Sequence, residues 1–177
     1  AEKTSPYEFY QFWVNQDDRD VIKYLKFFTF LEEDEIEELA QKVATEPEKR
    51  EAQRRLAEEV TRFVHGQAEL EGAQKITEVL FSGDIKALDV KEAEQAFQKA
   101  PTVEITAEKK NIVDFLVDAG IESSKRQARE DVQNGAITIN GDRLRETTLE
   151  IDPSENFEGK FVIVRRGKKK FFLARVK

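Results

Sequence analysis

The chain contains no cysteine and no methionine, and it has a single histidine among its 177 residues. Without cysteine there can be no disulfide, no thiolate nucleophile and no cysteine-ligated metal site, and a reducing compartment is favoured. A lone His65 argues against a histidine-based metal centre and against a Ser–His–Asp triad. The lack of methionine indicates an excised or engineered piece of protein.

Glycine and long apolar runs are also scarce. The eight glycines are scattered, so none of them belongs to a glycine-rich phosphate-binding loop. No run of about 18 apolar residues is present and no signal-peptide pattern begins the sequence, so we expect no membrane partner and a cytoplasmic protein. These absences leave no credible active site. We expect this chain alone to be non-catalytic, with no metal and no cofactor.

Charge is present in abundance but is unevenly distributed. The formal net charge is −7, yet residues 121–177 carry 13 Lys and Arg against 9 Asp and Glu, a net charge of +4. The first 120 residues carry the remaining −11. This asymmetry is typical of an RNA-binding segment attached to an acidic helical module.

The pattern of apolar residues divides the chain into two parts and predicts an α+β fold. Residues 1–100 predict an all-helical domain, in which Leu56, Val60, Phe63 and Val64 form the inward stripe of a long helix. Pro101 forbids continuation of the last helix, so residues 101–110 are predicted to be a linker. Residues 111–177 predict two helices followed by a short, mainly antiparallel sheet.

The most informative stretch is residues 123–141. Ser124 and Gln127 form a capping-box pattern that predicts a helix start, and Gly135 predicts its end. Residues 136–139 alternate and are β-branched, which predicts a strand, and Asn140-Gly141 is a strong hairpin signal. Further strands are predicted at 143–149, 161–164 and 171–176.

Two clusters of cations lie in this second part. The predicted helix carries the first cluster, and a predicted turn between two apolar strands carries the second; the members are Lys125, Arg126, Arg129, Arg165, Arg166, Lys168, Lys169 and Lys170. Taken singly, the first cluster is typical of a solvated helix face and the second of a turn that discourages edge pairing. Together, on one small sheet, they predict contacts to an RNA phosphate backbone.

Acidic and aromatic residues stand out near the N-terminus. Asp17, Asp18 and Asp20 suit the start of a helix because its dipole favours negative charge there. A second interpretation is that one carboxylate accepts hydrogen bonds from an unpaired guanine. Nearby aromatic residues between 7 and 13 are predicted mainly as core, with base stacking as the alternative.

The residues 124–141, SKRQAREDVQNGAITING, and 161–173, FVIVRRGKKKFFL, resemble the small S-four RNA-binding domain of bacterial tyrosyl-tRNA synthetases. The stretch EKTSPYEFYQFWVNQDDRDVIKYLKFFTF resembles the start of the same family's helical anticodon-binding domain. The segments LAEEVTRFVHG and ITEVLFSGDIKAL continue the resemblance. It therefore covers essentially the whole chain, in order.

The resemblance carries expectations about function. The family's HIGH and KMSKS-type motifs do not occur here, so the ATP- and Mg-dependent activation of tyrosine by this class I ligase would belong to a catalytic domain that this sequence lacks. The partner would be tRNA-Tyr, contacted by the two basic clusters near its variable arm and anticodon stem. Asp18, with Asp20 as the fallback, would pair with the anticodon guanine. The parent enzyme would dimerise through its catalytic domain and this fragment would be monomeric.

Two other interpretations stay open from the residues alone. A free-standing S-four-type RNA-binding or ribosome-associated protein would share the basic helix and turn, although it would not need the aromatic helical half. A purely structural helical module would not need five cations between residues 165 and 170.

Overall fold

The computed structural model describes residues 4–177, so the first three residues of the predicted helical domain lie outside it. The chain forms two compact units, one ending at Glu78 and one running from Val79 to Lys177. This division falls within a helix, before the predicted linker at 101–110. The α+β fold class is confirmed. No helix within the described range is long and apolar enough to cross a membrane.

The first unit is helical, and its first helix begins where the sequence provides a cap. Ser5 accepts a hydrogen bond from the Glu8 amide at 3.2 Å, and Pro6 occupies the first helical position. The helices are α1 (Pro6–Val14), α2 (Asp18–Phe28), α3 (Glu33–Thr45), α4 (Glu51–His65) and α5 (Gln67–Ser82), the last of which extends past the division between the units.

Helix α4 is central to the first unit because α1, α2 and α3 all pack against it. Leu56 and Val60 face inward as predicted, and they share a core with Leu25 of α2. Phe63 and Val64 were predicted to face inward and do not: Phe63 is 74% exposed. The two residues lie in the last turn of α4, beyond the apolar cluster that covers its middle.

Aromatic residues of the first unit divide between core and surface. Tyr10 is buried, whereas Phe12 on the same helix is 60% exposed and touches Trp13 edge to face at a centroid distance of 5.2 Å. The prediction that this aromatic group is mainly core therefore holds for Tyr10 but not for Phe12. The large exposed apolar residues of the unit are Phe12, Phe27, Phe28, Phe30, Phe63 and Val64.

The second unit is a small sheet between helices. Its elements are α6 (Val90–Ala96), β1 (Thr102–Ile105), β2 (Lys110–Asn111), α7 (Ile112–Asp118), α8 (Lys125–Gln133), β3 (Ile137–Ile139), β4 (Asp142–Arg143), β5 (Glu150–Ile151), β6 (Phe161–Arg166) and β7 (Lys170–Val176). Five strands pair in the order β1-β7-β6-β3-β4, in which only the β1–β7 pair is parallel. Strands β2 and β5 form a separate antiparallel pair.

The two faces of the five-stranded sheet carry different side chains because successive residues on a strand point to opposite sides. One face shares an apolar core with α7 and α8, in which Leu116, Val132 and Val164 are fully buried. On the opposite face Phe171 contacts Phe97, just after α6, at a centroid distance of 5.0 Å. The sheet is thus covered on both sides.

The β3–β4 hairpin is confirmed, and its turn does more than reverse the chain. Asn140 and Gly141 both have positive φ, of 47° and 95°. Buried Asn140 accepts from the Ile163 amide through Oδ1 at 2.8 Å and donates its own amide to the Ile163 carbonyl at 2.8 Å. The Asn140 side chain therefore supplies a hydrogen bond that a longer strand would have supplied.

Two predicted features of the second unit differ from the structure. The strand predicted at 143–149 is only Asp142–Arg143 in β4, because the chain then leaves the sheet until Glu150–Ile151 pairs with β2. Part of the predicted linker, Thr102–Ile105, is strand β1 and pairs with β7. Both differences arise from pairing partners that are distant in sequence.

Candidate nucleic-acid interface

Helix α8 presents two arginines to solvent. Ser124 caps the helix by accepting from the Gln127 amide at 3.2 Å. Ala128 and Val132 are fully buried in the core below. Arg126 and Arg129 lie on the exposed side, and neither forms an ion pair or a side-chain hydrogen bond within the described part of the chain. Both guanidinium groups are therefore available to an external anion.

Lys125, at the start of the same helix, is already paired. Its Nζ lies 2.6 Å from Oδ1 of Asp114 on α7. This ion pair also lowers the pKa of Asp114, chiefly through the hydrogen bond from Lys125. An exposed pair of this kind contributes little to stability, so Lys125 can exchange its partner for a phosphate at small cost.

The turn between β6 and β7 lies beside the start of β3. Gly167, with φ 66°, donates its amide to the Ala136 carbonyl at 2.7 Å. Lys168 and Lys169 are exposed in the turn, and the exposed Lys170 places Nζ 5.0 Å from the centroid of the Phe172 ring. The second basic cluster is therefore attached to the segment that follows α8.

Arg165 and Arg166 point to opposite faces of the sheet. Arg165 donates from Nη2 to Thr138 Oγ1 at 3.2 Å. Arg166 instead faces α8, where its Nε lies 2.8 Å from Oε1 of Glu122 and 3.2 Å from Oδ2 of Asp131. Both arginines are only partly exposed, so they differ from the three lysines that follow.

Two further arginines border this surface and were not among the predicted residues. Arg143 donates from Nε to the Gly135 carbonyl at 2.5 Å, and the guanidinium of Arg145 also lies against Gly135. Thr138 is the register partner of both Arg143 and Arg165, so the three share one face. The two-residue turn at 140–141 fixes the register of Thr138 with Arg143 and was the signal available in the sequence.

The acidic residues at the start of α2 have distinct roles. Asp17 caps the helix and accepts from the Arg19 guanidinium at 2.9 Å and 3.0 Å, which lowers the pKa of Asp17 to about 2. Asp18 Oδ1 accepts from Nε2 of buried Gln53 at 2.5 Å. The Asp20 side chain is exposed and forms no hydrogen bond or ion pair with the described residues.

Comparison with known proteins identifies the family. A family model described as tRNA synthetases class I (W and Y) matches residues 1–82, and one described as the tyrosine–tRNA ligase SYY-like C-terminal domain matches residues 92–174. The tyrosine–tRNA ligase of Latilactobacillus sakei subsp. sakei (strain 23K) is 93% identical over 176 residues, which is 99% of this chain and 42% of that protein. The chain belongs to the bacterial tyrosyl-tRNA synthetase family.

A second relative agrees with this assignment. The tyrosine–tRNA ligase of Ligilactobacillus salivarius (strain UCC118) is 68% identical over 99% of this chain and 42% of its own length. A solved structure described as the solution structure of a tyrosyl-tRNA synthetase C-terminal domain is 46% identical, covering 55% of this chain and 98% of that one, with a TM-score of 0.45. The chain thus spans less than half the length of the two tyrosine–tRNA ligases named above.

Membership in the tyrosyl-tRNA synthetase family makes the second unit a C-terminal domain, which fits the tRNA-binding part of a tyrosine–tRNA ligase. Within residues 4–177 no group of three or more His, Asp or Glu side chains is arranged to hold a metal ion. The predicted basic residues lie on α8, at the adjoining ends of β6 and β7 and on the turn between these strands, while Asp18 and Asp20 lie in the other unit. Their roles in binding stay predictions.

The electrostatics around Arg166 set it apart from the other cations. Burial raises the pKa of Glu122 to about 7, a hydrogen bond to Asp131 adds to the shift, and the Arg166 charge opposes it. The pKa of Asp131 is lowered even though burial alone would raise it, because hydrogen bonds from Glu122, Gln127 and Arg166 stabilise its charge. The two carboxyl groups therefore titrate as a coupled pair.

We expect Arg166→Met to lower the free energy of unfolding by roughly 1–3 kcal/mol, because it removes the cation that faces the buried carboxyl group of Glu122 and the half-buried one of Asp131. Lys169→Met removes the same charge from an exposed turn and should change stability by less than about 0.5 kcal/mol. Urea denaturation of both variants measures the difference. Equal effects would mean that Arg166 has no structural role.

Proposed function

We propose that this chain is the tRNA-binding portion of a tyrosine–tRNA ligase, the enzyme that attaches tyrosine to tRNA-Tyr with ATP. In this proposal the second unit binds phosphates near the long variable arm and the anticodon stem. The first unit recognises one base of the anticodon. The proposal rests on the family assignment and on the basic surface of α8 and the β6–β7 turn.

The exposed and unpaired arginines of α8 carry the proposal. Arg126 and Arg129 lie three residues apart on one helix face, and no carboxylate neutralises either of them by a direct contact within the described residues. A guanidinium without a protein partner binds a phosphate by releasing that phosphate's counterion, with little competition from the protein. Lys168 and Lys169 add two exposed charges on the adjoining turn.

Recognition of the anticodon is assigned to the first turn of α2. Asp18 is held by Gln53 through one carboxylate oxygen, which leaves the other oxygen available to the N1–H or the N2 amino group of a guanine. Asp20 is the fallback, since it is exposed in the same turn. The buried anchor at Gln53 favours Asp18, because a fixed carboxylate loses less conformational entropy on binding.

The remaining partners follow from the same proposal. The ATP- and Mg-dependent chemistry belongs to the part of the full synthetases that lies outside this chain, and so does the homodimer contact. The chain by itself is then a monomer that binds tRNA-Tyr without catalysis, and its place of action is the cytoplasm. The alternative of a free-standing ribosome-associated protein is less well supported, because the relatives at 93% and 68% identity are tyrosine–tRNA ligases.

Binding to tRNA-Tyr with and without its long variable arm tests the proposal. We expect weaker binding to the shortened tRNA, and a steep loss of affinity as salt rises, because each phosphate contact contributes about 0.7–0.9 to the slope of log K against log salt. Filter binding or fluorescence anisotropy across a salt series measures both quantities. Equal affinity for the two RNAs, or a flat salt response, would contradict the proposed mode of binding.

The double variant Arg126→Ala/Arg129→Ala should weaken tRNA binding by roughly 2–6 kcal/mol, about 1–3 for each charge-assisted contact, and should reduce the salt slope by about 2. Folding should be unchanged because both side chains are exposed. A matched control is Lys160→Ala/Lys177→Ala, which removes the same charge at the far end of β6 and β7. Comparable losses in both double variants would indicate only a net-charge effect.

Replacing the anticodon guanosine by inosine removes the N2 amino group, and we expect this to cost the unmodified protein about 1–3 kcal/mol of binding. Asp18→Asn keeps an oxygen acceptor for Gln53 but loses the carboxylate, so it should abolish the difference between the two tRNAs. Asp20→Asn is the matched variant and should preserve the difference. The reverse pattern assigns recognition to Asp20, and no effect in either variant rules out both residues.

A further inference from the structure

The Arg166 guanidinium joins two elements that carry the basic clusters. Glu122 lies just before α8, Asp131 lies within α8, and Arg166 ends β6, directly before the basic turn. The Arg166 Nε–H donates a hydrogen bond to Asp131 at 3.2 Å. The same nitrogen approaches Glu122 at 2.8 Å without hydrogen-bond geometry. Helix α8 and the strand that leads into the turn are therefore connected by the contacts of Arg166 with these two acids.

Glu122 is the unusual member of this cluster. Its side chain is 1% exposed, and neither carboxyl oxygen has a hydrogen-bond donor in favourable geometry among the described residues. An ionised carboxylate without donors is costly to bury, whereas a protonated carboxyl group can donate to a neighbouring carboxylate. Asp131 is that neighbour, and it retains donors from Gln127 at 2.9 Å and from Arg166.

Among the described residues, three charged groups face Glu122, each from a different element. Asp131 faces it from α8, Arg166 from β6 and Lys170 from β7. With one proton shared by the acids, the group of Glu122, Asp131 and Arg166 is neutral and Lys170 is free to point outward. Loss of that proton adds a buried negative charge, sets the two carboxylates against each other and attracts Lys170 inward.

We propose that Glu122 and Asp131 form a positioning pair that shares a proton, holds the β6–β7 turn against α8 through Arg166, and thereby makes RNA affinity depend on pH. Only the part of this inference that concerns RNA affinity rests on the proposed function. The direction of the pH dependence follows from charge. Deprotonation of Glu122 places a negative charge beside the phosphate-binding cations, so RNA affinity falls as pH rises. Glu122 is a positioning residue and does not itself contact RNA.

The same pair sets the direction of a stability change. The pKa of Glu122 is raised in the folded protein to about 7 from an ordinary value of 4.5, so the folded state holds its proton more tightly than the unfolded chain does. The contribution of Glu122 to stability is then fully present below its ordinary pKa and is lost as pH rises between these two values. Glu122→Gln should remove that part of the pH dependence.

The test compares the full chain with its Glu122→Gln variant for binding to tRNA-Tyr at constant ionic strength. Between about pH 6 and about pH 8 the unmodified protein should lose about 3- to 10-fold in affinity, the size expected for one added charge within several ångströms. Glutamine cannot ionise but can donate to Asp131, so the variant should keep the low-pH affinity throughout. A pH step in Glu122→Gln equal to that of the unmodified protein would overturn the proposal.

Glu130→Gln is the matched control, because Glu130 is exposed on α8 and lies outside the cluster. It removes one negative charge and should leave the shape of the pH profile unchanged. An NMR titration of the Glu122 side-chain carboxyl carbon, followed together with the amide signals of residues 167–170, reports the pair without RNA. We expect the carboxyl and turn signals to change together near pH 7, and turn signals that stay constant would overturn the positioning role.

These two readouts separate the two proposals. If neither protein binds tRNA-Tyr at any pH, the proposed function fails, and the RNA half of this inference fails with it. The NMR titration then still decides whether Glu122 and Asp131 position the turn. If the carboxyl titration occurs while affinity in the unmodified protein is independent of pH, the proposed function stands and the inference is overturned.

Discussion

The turn from α8 into β3 connects the basic helix to the β4 arginine and to the lysine turn between β6 and β7. Gly135 adopts a positive φ of 64°, so the chain passes from the helix to the sheet through only three residues, 134–136. The Gly135 carbonyl accepts from Arg143, and the next carbonyl, that of Ala136, accepts from the amide of Gly167. A substitution that moved this short backbone segment would displace the helix, the β4 arginine and the lysine turn together.

The cations of this region divide by their surroundings more than by their type. Arg166 and Arg165 are partly buried and bonded to protein groups, and a planar guanidinium with several donors suits such sites. Arg126 and Lys168 are exposed and without direct partners among the described residues, as phosphate-binding groups need to be. A basic cluster that looks uniform along the chain therefore contains both supporting and surface charges.

Local patterns predicted much of this arrangement. The cap at Ser124, the helix end near Gly135 and the hairpin at 140–141 each depend on neighbouring residues, and all three agree with the structure. The different surroundings of Arg165 and Arg166 also follow from strand alternation. The burial of Glu122 could not be predicted from the sequence, because this residue lies in a loop and is buried only when β6 and α8 come together.

The order of strands has a consequence for biosynthesis. Strand β7 lies between β1 and β6. Both of these strands are synthesised before β7, so neither can pair with it until the end of the chain is made. A nascent chain that has reached residue 169 lacks this strand entirely, so β1 and β6 are not yet joined in one sheet. The helices of the first unit are made earlier and depend mainly on nearby segments, so they can assemble during translation, whereas the five-stranded sheet is complete only after residue 176 has emerged.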